Sequence, residues 1–138
     1  MMEKVSLPND FDWVGARKSC SADKVFESLH LGARKNVESM TMTQDGRTWN
    51  NFVFMPFDGS FSVIRQDSFD RAGVRFYVEQ QSRIVAESHG LRQPVSMKAD
   101  LTVNDNGECR LSVDGVELQE WQFLRRALEP LFFYRRDF

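Results

Sequence analysis

The stretch that decides the fold is VSMKADLTVNDNGECRLSV, residues 95–113. From Val95 to Val103 apolar and polar side chains alternate strictly, which is the period of a half-buried β-strand. Residues 104–107, Asn-Asp-Asn-Gly, are strong turn formers, and the alternation returns from Cys109 to Val113. The sequence therefore predicts an antiparallel β-hairpin over residues 95–113.

A second hairpin is predicted over residues 47–66. The segment from Trp49 to Met55 is rich in aromatic residues and Val, the Asp58-Gly59 pair is a hairpin turn signal, and residues 60–66 alternate. Residues 41–43 add a short strand that ends at Gln44-Asp45-Gly46. The order of signals predicts three strands before residue 67.

Helices are predicted at both ends of the chain. Ser21 is a suitable N-cap for a helix of residues 21–40, in which apolar residues recur at steps of three and four. This stripe consists of Ala22, Phe26, Leu29, Ala33, Val37 and Met40. Gly32 indicates either a break in the helix or a close contact with another helix. Residues 116–134 predict a C-terminal helix, which Pro130 should kink or restart.

Residues 70–89 allow two interpretations. Val74 to Val78 alternates like a strand, but no turn residue separates Val74 from Ser88, and a single strand of that length is uncommon. A helix brings Val74, Tyr77, Val78, Ile84 and Val85 to one face and places Gly90 where a left-handed C-cap belongs. We prefer the helix, and the strand interpretation stays open.

The predicted fold class is α+β, with residues 1–138 forming a single domain and residues 1–12 a flexible arm. Antiparallel β-hairpins pack with an N-terminal, a middle and a C-terminal helix in the order α-βββ-α-ββ-α. If residues 74–88 are strands, the chain becomes a curved antiparallel sheet closed by the C-terminal helix. The apolar faces predict a core of Phe26, Leu29, Val37, Leu101, Leu111 and Trp121.

Composition excludes several function classes. The net charge is −2 and no segment is strongly basic, which argues against binding to nucleic acid. The chain contains no apolar run of about 18 residues, so we expect no membrane span. The first eight residues contain no apolar run typical of a signal peptide, so we expect a cytoplasmic protein.

No catalytic set can be named from the sequence. The only histidines are His30 and His89, and metal-ligand, phosphate-loop and nucleophile motifs are missing, so we expect a non-enzymatic protein without cofactor or metal. Cys20 and Cys109 have no CxxC spacing, which argues against a disulfide scaffold. Cys20 lies beside the predicted N-cap and Lys18, which makes it a candidate reactive thiol. Cys109 should be inert on an inward strand face.

Aromatic residues supply the candidate binding residues. Phe contributes 12 of the 138 residues, which predicts an aromatic-rich core, and such a surplus can also line a binding groove. On the strand interpretation, an apolar cavity would be lined by Trp49, Phe52, Phe54, Phe61, Phe76 and Tyr77. Phe133 and Tyr134 lie in a run of four bulky residues that cannot all face one core, so they predict a contact with a second copy.

The order α-βββ-α-ββ-α resembles that of type III secretion chaperones and their relatives. This resemblance implies a protein-binding, chaperone-like or adaptor-like module that acts as a homodimer. With residues 74–88 as strands, the order instead resembles a START-type helix-grip fold. That resemblance implies the alternative function, which is the binding of a small apolar ligand in an aromatic-lined cavity.

Overall fold

The computed structural model describes residues 7–40, 42–44, 47–49, 52–66 and 71–133, without the side chains of residues 42–44 and 47–49. Its helices are α1 (Trp13–Ser19), α2 (Ala22–Ser39) and α3 (Glu120–Phe133). Its strands are β1 (Met42–Gln44), β2 (Arg47–Trp49), β3 (Phe52–Phe57), β4 (Ser60–Gln66), β5 (Arg71–Glu79), β6 (Arg83–His89), β7 (Ser96–Val103), β8 (Cys109–Val113) and β9 (Val116–Leu118).

Most of the strands belong to one large antiparallel sheet. Strands β3 to β9 follow one another in chain order as an open seven-stranded meander, and β1 and β2 pair with each other separately. Both predicted hairpins are found, with Phe54 opposite Val63 in the first and Leu101 opposite Leu111 in the second. The α+β class and the antiparallel hairpins are therefore confirmed.

The helix predicted over residues 74–88 is wrong. These residues form β5 and β6, which pair antiparallel from Gly73 opposite His89 to Glu79 opposite Arg83. The turn between them contains Gln80 and Gln81 in the left-handed region, with φ of 51° and 62°. Glutamine is not a typical turn residue, so the sequence did not indicate the break between the two strands. The strand interpretation is the one that the structure adopts.

Helices α2 and α3 cover one face of this sheet. Ser21 caps α2 by accepting a hydrogen bond from the Lys24 backbone N–H at 3.3 Å. The buried core joins α2, α3 and the helix-facing side chains of β3 to β9, with Leu29 and Phe61 fully buried. A Cβ atom at Gly32 would lie 2.8 Å from Leu124 Cδ1, so this glycine marks a close contact between the two helices.

The predicted core is largely present. Leu29, Val37, Leu101 and Leu111 are buried, and Phe26 packs half-buried against the core. The prediction that Trp121 is buried is wrong, because its side chain is 57% exposed. It lies in the first turn of α3, about 90° around the helix from the buried face at 100° per residue.

Both ends of the chain differ from the predicted bounds. Residues 116–118, assigned to the last helix, form strand β9, and α3 begins at Glu120. Residues 1–6 of the predicted arm and Tyr134 lie outside the described residues. Phe11 packs next to Gly107 in the turn between β7 and β8, and Trp13 is exposed.

Candidate functional site

A groove of about 690 Å³ runs between α2 and α3 on the surface of the helical layer. Ser28 Oγ is hydrogen-bonded to Glu120 Oε1 at 2.5 Å, and one turn further along both helices Gly32 meets Leu124. Because the residue numbers increase in the same direction along both helices, α2 and α3 are parallel. At one end of the groove the N-terminus of α3 lies beside the second turn of α2.

Large apolar side chains are exposed along this groove. Leu31 on α2 is 54% exposed, and Trp121 and Phe133 on α3 are 57% and 65% exposed. Beneath them Leu124 and Leu128 are buried and form an apolar floor. Several exposed apolar side chains along one groove are typical of an interaction surface, whereas single exposed apolar residues are not informative.

Charged side chains border the apolar patch. Arg125 Nε lies 2.8 Å from Glu129 Oε2, one turn apart on α3. Lys35 on α2 and Glu120 on α3 also line the groove. An apolar centre with a charged border is the usual composition of a protein-binding surface.

Most of the predicted cavity-lining rings are brought together, but they pack against one another. Phe61 lies at the centre, with ring centroids 4.7 Å from Phe76, 5.5 Å from Phe54 and 5.2 Å from Phe26. Phe61 and Phe76 are fully buried. Phe52 is also buried and lies 4.8 Å from Phe132. These rings fill the space between the sheet and the helices.

Other predicted binding residues are separated from this cluster. Tyr77 follows Phe76 on β5, so its side chain lies on the opposite face of the sheet. There its hydroxyl donates a hydrogen bond to Glu87 Oε1 at 2.9 Å. The pKa of Tyr77 is raised by this hydrogen bond, by burial and by the negative charges of Glu87 and Glu79, and it is partly lowered by Arg75. The side chains of Trp49 and Tyr134 lie outside the described residues.

The two cysteines are not separate thiols. Cys20 and Cys109 form a disulfide with a Cα–Cα distance of 5.3 Å, although they are 89 residues apart in the sequence. The predictions of a reactive Cys20 thiol and an inert Cys109 thiol are therefore wrong for this state of the protein. Spacing along the chain gave no signal, because the pairing depends on how the end of α1 packs on β7 and β8.

The two histidines of the chain lie in different parts of the fold. The His30 ring packs edge-on against Phe54 and Phe61, with centroids 4.8 and 5.3 Å away, as a part of the aromatic cluster. His89 ends β6, not the predicted helix. Among the described residues no group of three His, Cys, Asp or Glu side chains could hold a metal ion.

The sequence prediction found Phe133 but missed the rest of the groove. Leu31 carried a signal, because it lies on the side of α2 opposite the stripe of Leu29, Ala33 and Val37. An apolar residue so placed is exposed unless something binds it. Trp121 has no comparable signal, because its position in the apolar pattern of the last helix is that of a core residue.

Comparison of the chain with protein-family models, with curated proteins and with solved structures gives no match. Within the described part of the chain, no helix combines the length and the apolar character needed to cross a membrane. The proposed function therefore rests on the groove and its side chains.

Proposed function

We propose that this protein is a non-enzymatic protein-binding module that acts as a homodimer, with the groove between α2 and α3 as the surface that a second copy binds. The observation that carries the proposal is the exposure of Leu31, Trp121 and Phe133 along one groove. Burying each aromatic side chain would recover roughly 1.5–3 kcal/mol. Trp is also among the residues that contribute most at protein interfaces.

The direction of the helices favours a second copy as the occupant. The two helices run in the same direction along the groove, so their dipoles add. A two-fold axis across the groove would place the helices of the second copy antiparallel to these. The opposed dipoles would then attract each other, and symmetric dimers are the commonest protein oligomers.

The exposed rings fit the same arrangement. Trp121 lies in the first turn of α3 and Phe133 is the last residue of that helix, so the two rings lie at opposite ends of the groove. In an antiparallel pair Trp121 faces the partner's Phe133, and aromatic residues that contribute strongly to an interface tend to pair in this way.

The test is the mass of the protein in solution, measured by light scattering or sedimentation at roughly tens of micromolar. The chain has a mass of 16.1 kDa, and we expect the wild type at twice this value. Phe133→Ser should give a monomer. Phe57→Ser is the matched control, because Phe57 is similarly exposed at 55% but lies on β3, outside the groove residues.

Two results would contradict the proposal. A monomeric wild type would show that the protein is not a homodimer. A dimer that is lost in Phe57→Ser and retained in Phe133→Ser would show that the interface is at β3. Circular dichroism of each variant separates an interface effect from unfolding.

A small apolar ligand is the second candidate function. The groove volume of about 690 Å³ falls within the range of small-molecule sites, which is about 300–1,000 Å³. Native mass spectrometry of the purified wild type decides between the two. A monomer that retains an additional small mass, lost in Trp121→Ser, supports the ligand, and a dimer without additional mass supports the protein-binding function.

A further inference from the structure

The disulfide joins two parts of the molecule that few other contacts connect. Cys20 lies between α1 and α2, one residue before the N-cap Ser21, and Cys109 is the first residue of β8. Residues 7–20, here called the N-terminal segment, include α1 and the turn before it. The bond therefore attaches this segment to the hairpin of β7 and β8.

The N-terminal segment has little other packing. Helix α1 contributes no buried side chain, and Trp13 and Val14 are 67% and 47% exposed. Leu7 and Phe11, both only half-buried, reach the turn at Gly107. In the whole segment Cys20 is the one buried residue. A segment with so few buried apolar contacts opens at low free-energy cost once it is released.

We propose that Cys109 is a site of thiol–disulfide exchange with small thiols, and that exchange releases the N-terminal segment from the β7–β8 hairpin while the sheet, α2 and α3 stay folded. The proposal involves no residue that lines the groove. It is therefore independent of the proposed function.

Burial favours attack at Cys109 over attack at Cys20. Cys109 is exposed, whereas Cys20 is 2% exposed, and exchange requires access of the attacking thiolate to one sulfur. The thiolate forms a mixed disulfide with Cys109, and the electron pair of the broken S–S bond leaves on Cys20. A second thiol then displaces Cys109. Both cysteines end as thiols and the two small thiols end joined as a disulfide.

The surroundings of Cys20 stabilise it as the leaving group. Arg17 and Lys18 lie in the last turn of α1, directly before Cys20, and supply positive charge. The 18-residue α2 begins two residues later and points its positive N-terminal end towards this region. A sulfur that is stabilised as a thiolate leaves faster in exchange.

Hydrogen exchange of the oxidised and the dithiothreitol-reduced protein tests the proposal. Reduction should speed exchange of the α1 amides by at least about tenfold and leave α2, α3 and the central strands unchanged. Cys109→Ser is the control and should show fast α1 exchange with and without dithiothreitol. Glutathione at limiting concentration should leave its adduct on Cys109.

Three results would overturn the proposal. Equal α1 protection in both states would show that the bond does not hold the segment. Loss of protection throughout α2 and the sheet would show that the bond holds the whole fold. An adduct on Cys20 would place the attack at the other sulfur. Reduction of the wild type gives these results even if Cys109→Ser does not fold.

Discussion

Tyr77 shows how a single polar side chain is held on the open face of the sheet. Its hydroxyl donates to Glu87, and the Arg75 guanidinium carbon lies 4.8 Å from the centre of its ring. The hydrogen bond exists only while the phenol keeps its proton. Together with burial and nearby negative charge, it raises the pKa of Tyr77 above the ordinary 10.0.

This raised pKa predicts a loss of stability in alkali. The stabilisation by Tyr77 is present below the ordinary value and is lost as the pH rises through the raised value in the folded protein. Urea midpoints measured between about pH 8 and pH 11 should therefore fall more steeply in the wild type than in Tyr77→Phe. Equal slopes for wild type and Tyr77→Phe would refute the prediction.

Gly90 and Gly59 are a matched pair for testing backbone geometry. Both have positive φ, of 71° and 76°, but only Gly90 is crowded, because a Cβ there would lie 2.5 Å from the Arg71 carbonyl oxygen. Gly59→Ala should cost about 1–2 kcal/mol, the usual penalty of left-handed backbone. Gly90→Ala should cost at least about 1 kcal/mol more, since the backbone must also move. Urea denaturation measures both, and equal losses would contradict the prediction.

Helix α2 and strand β8 hold the core from opposite sides. Leu29 on α2 is fully buried and Leu111 on β8 is 2% exposed. Truncation of either to Ala leaves a cavity that its neighbours fill incompletely, so each should cost roughly 2–5 kcal/mol. Val116→Ala, at a 47% exposed position, is the control and should change stability by less than about 0.5 kcal/mol. A loss below that limit at both leucines would mean that the assigned faces are wrong.

The elements that the sequence predicted well are those whose ends carry explicit signals. The hairpin of β3 and β4 turns at Asp58-Gly59, the hairpin of β7 and β8 turns at residues 104–107, and α2 starts after the N-cap Ser21. The turn between β5 and β6 uses Gln80 and Gln81 at positive φ, a geometry that glutamine rarely adopts. Local sequence therefore predicted a helix where tertiary pairing makes two strands.

The groove was only partly predictable, because it depends on how two helices far apart in sequence meet. Phe133 was identified because consecutive bulky residues cannot share one face. Trp121 was misassigned because its side chain lies beside the buried stripe of α3, and apolar periodicity alone does not show where the buried face of a helix ends. The disulfide was missed for the same reason, since Cys20 and Cys109 meet only in the folded chain.

At the scale of the whole molecule the two faces of the sheet differ in chemistry. One face carries both long helices and the aromatic core. The other carries ion pairs such as Arg83 with Asp100 at 3.0 Å and Lys98 with Glu79 at 3.4 Å. These pairs are solvent-exposed and add little stability. The exposed apolar surface of the groove therefore stands out on the helical side.

The disulfide should also affect the free energy of unfolding of the whole chain. It closes a loop between residues 89 positions apart, which restricts the unfolded chain by roughly 4–5 kcal/mol in the loop-entropy account. The Cys20→Ser/Cys109→Ser double variant should lose about that much free energy of unfolding, and the steepness of its urea transition should rise, because its unfolded chain is more expanded. The Cys20 sulfur lies 3.6 Å from the Thr102 carbonyl oxygen. A serine hydroxyl fits the same position, so packing at this site should change little.

Comparison with the reduced wild type separates the effect of the bond from that of the substitutions. If loop entropy is the cause, the reduced wild type and the double variant should have coincident urea transitions, both below that of the oxidised protein. A double variant as stable as the oxidised protein would show that the bond adds no constraint to the unfolded chain. A double variant much less stable than the reduced protein would instead assign the loss to packing around Cys20.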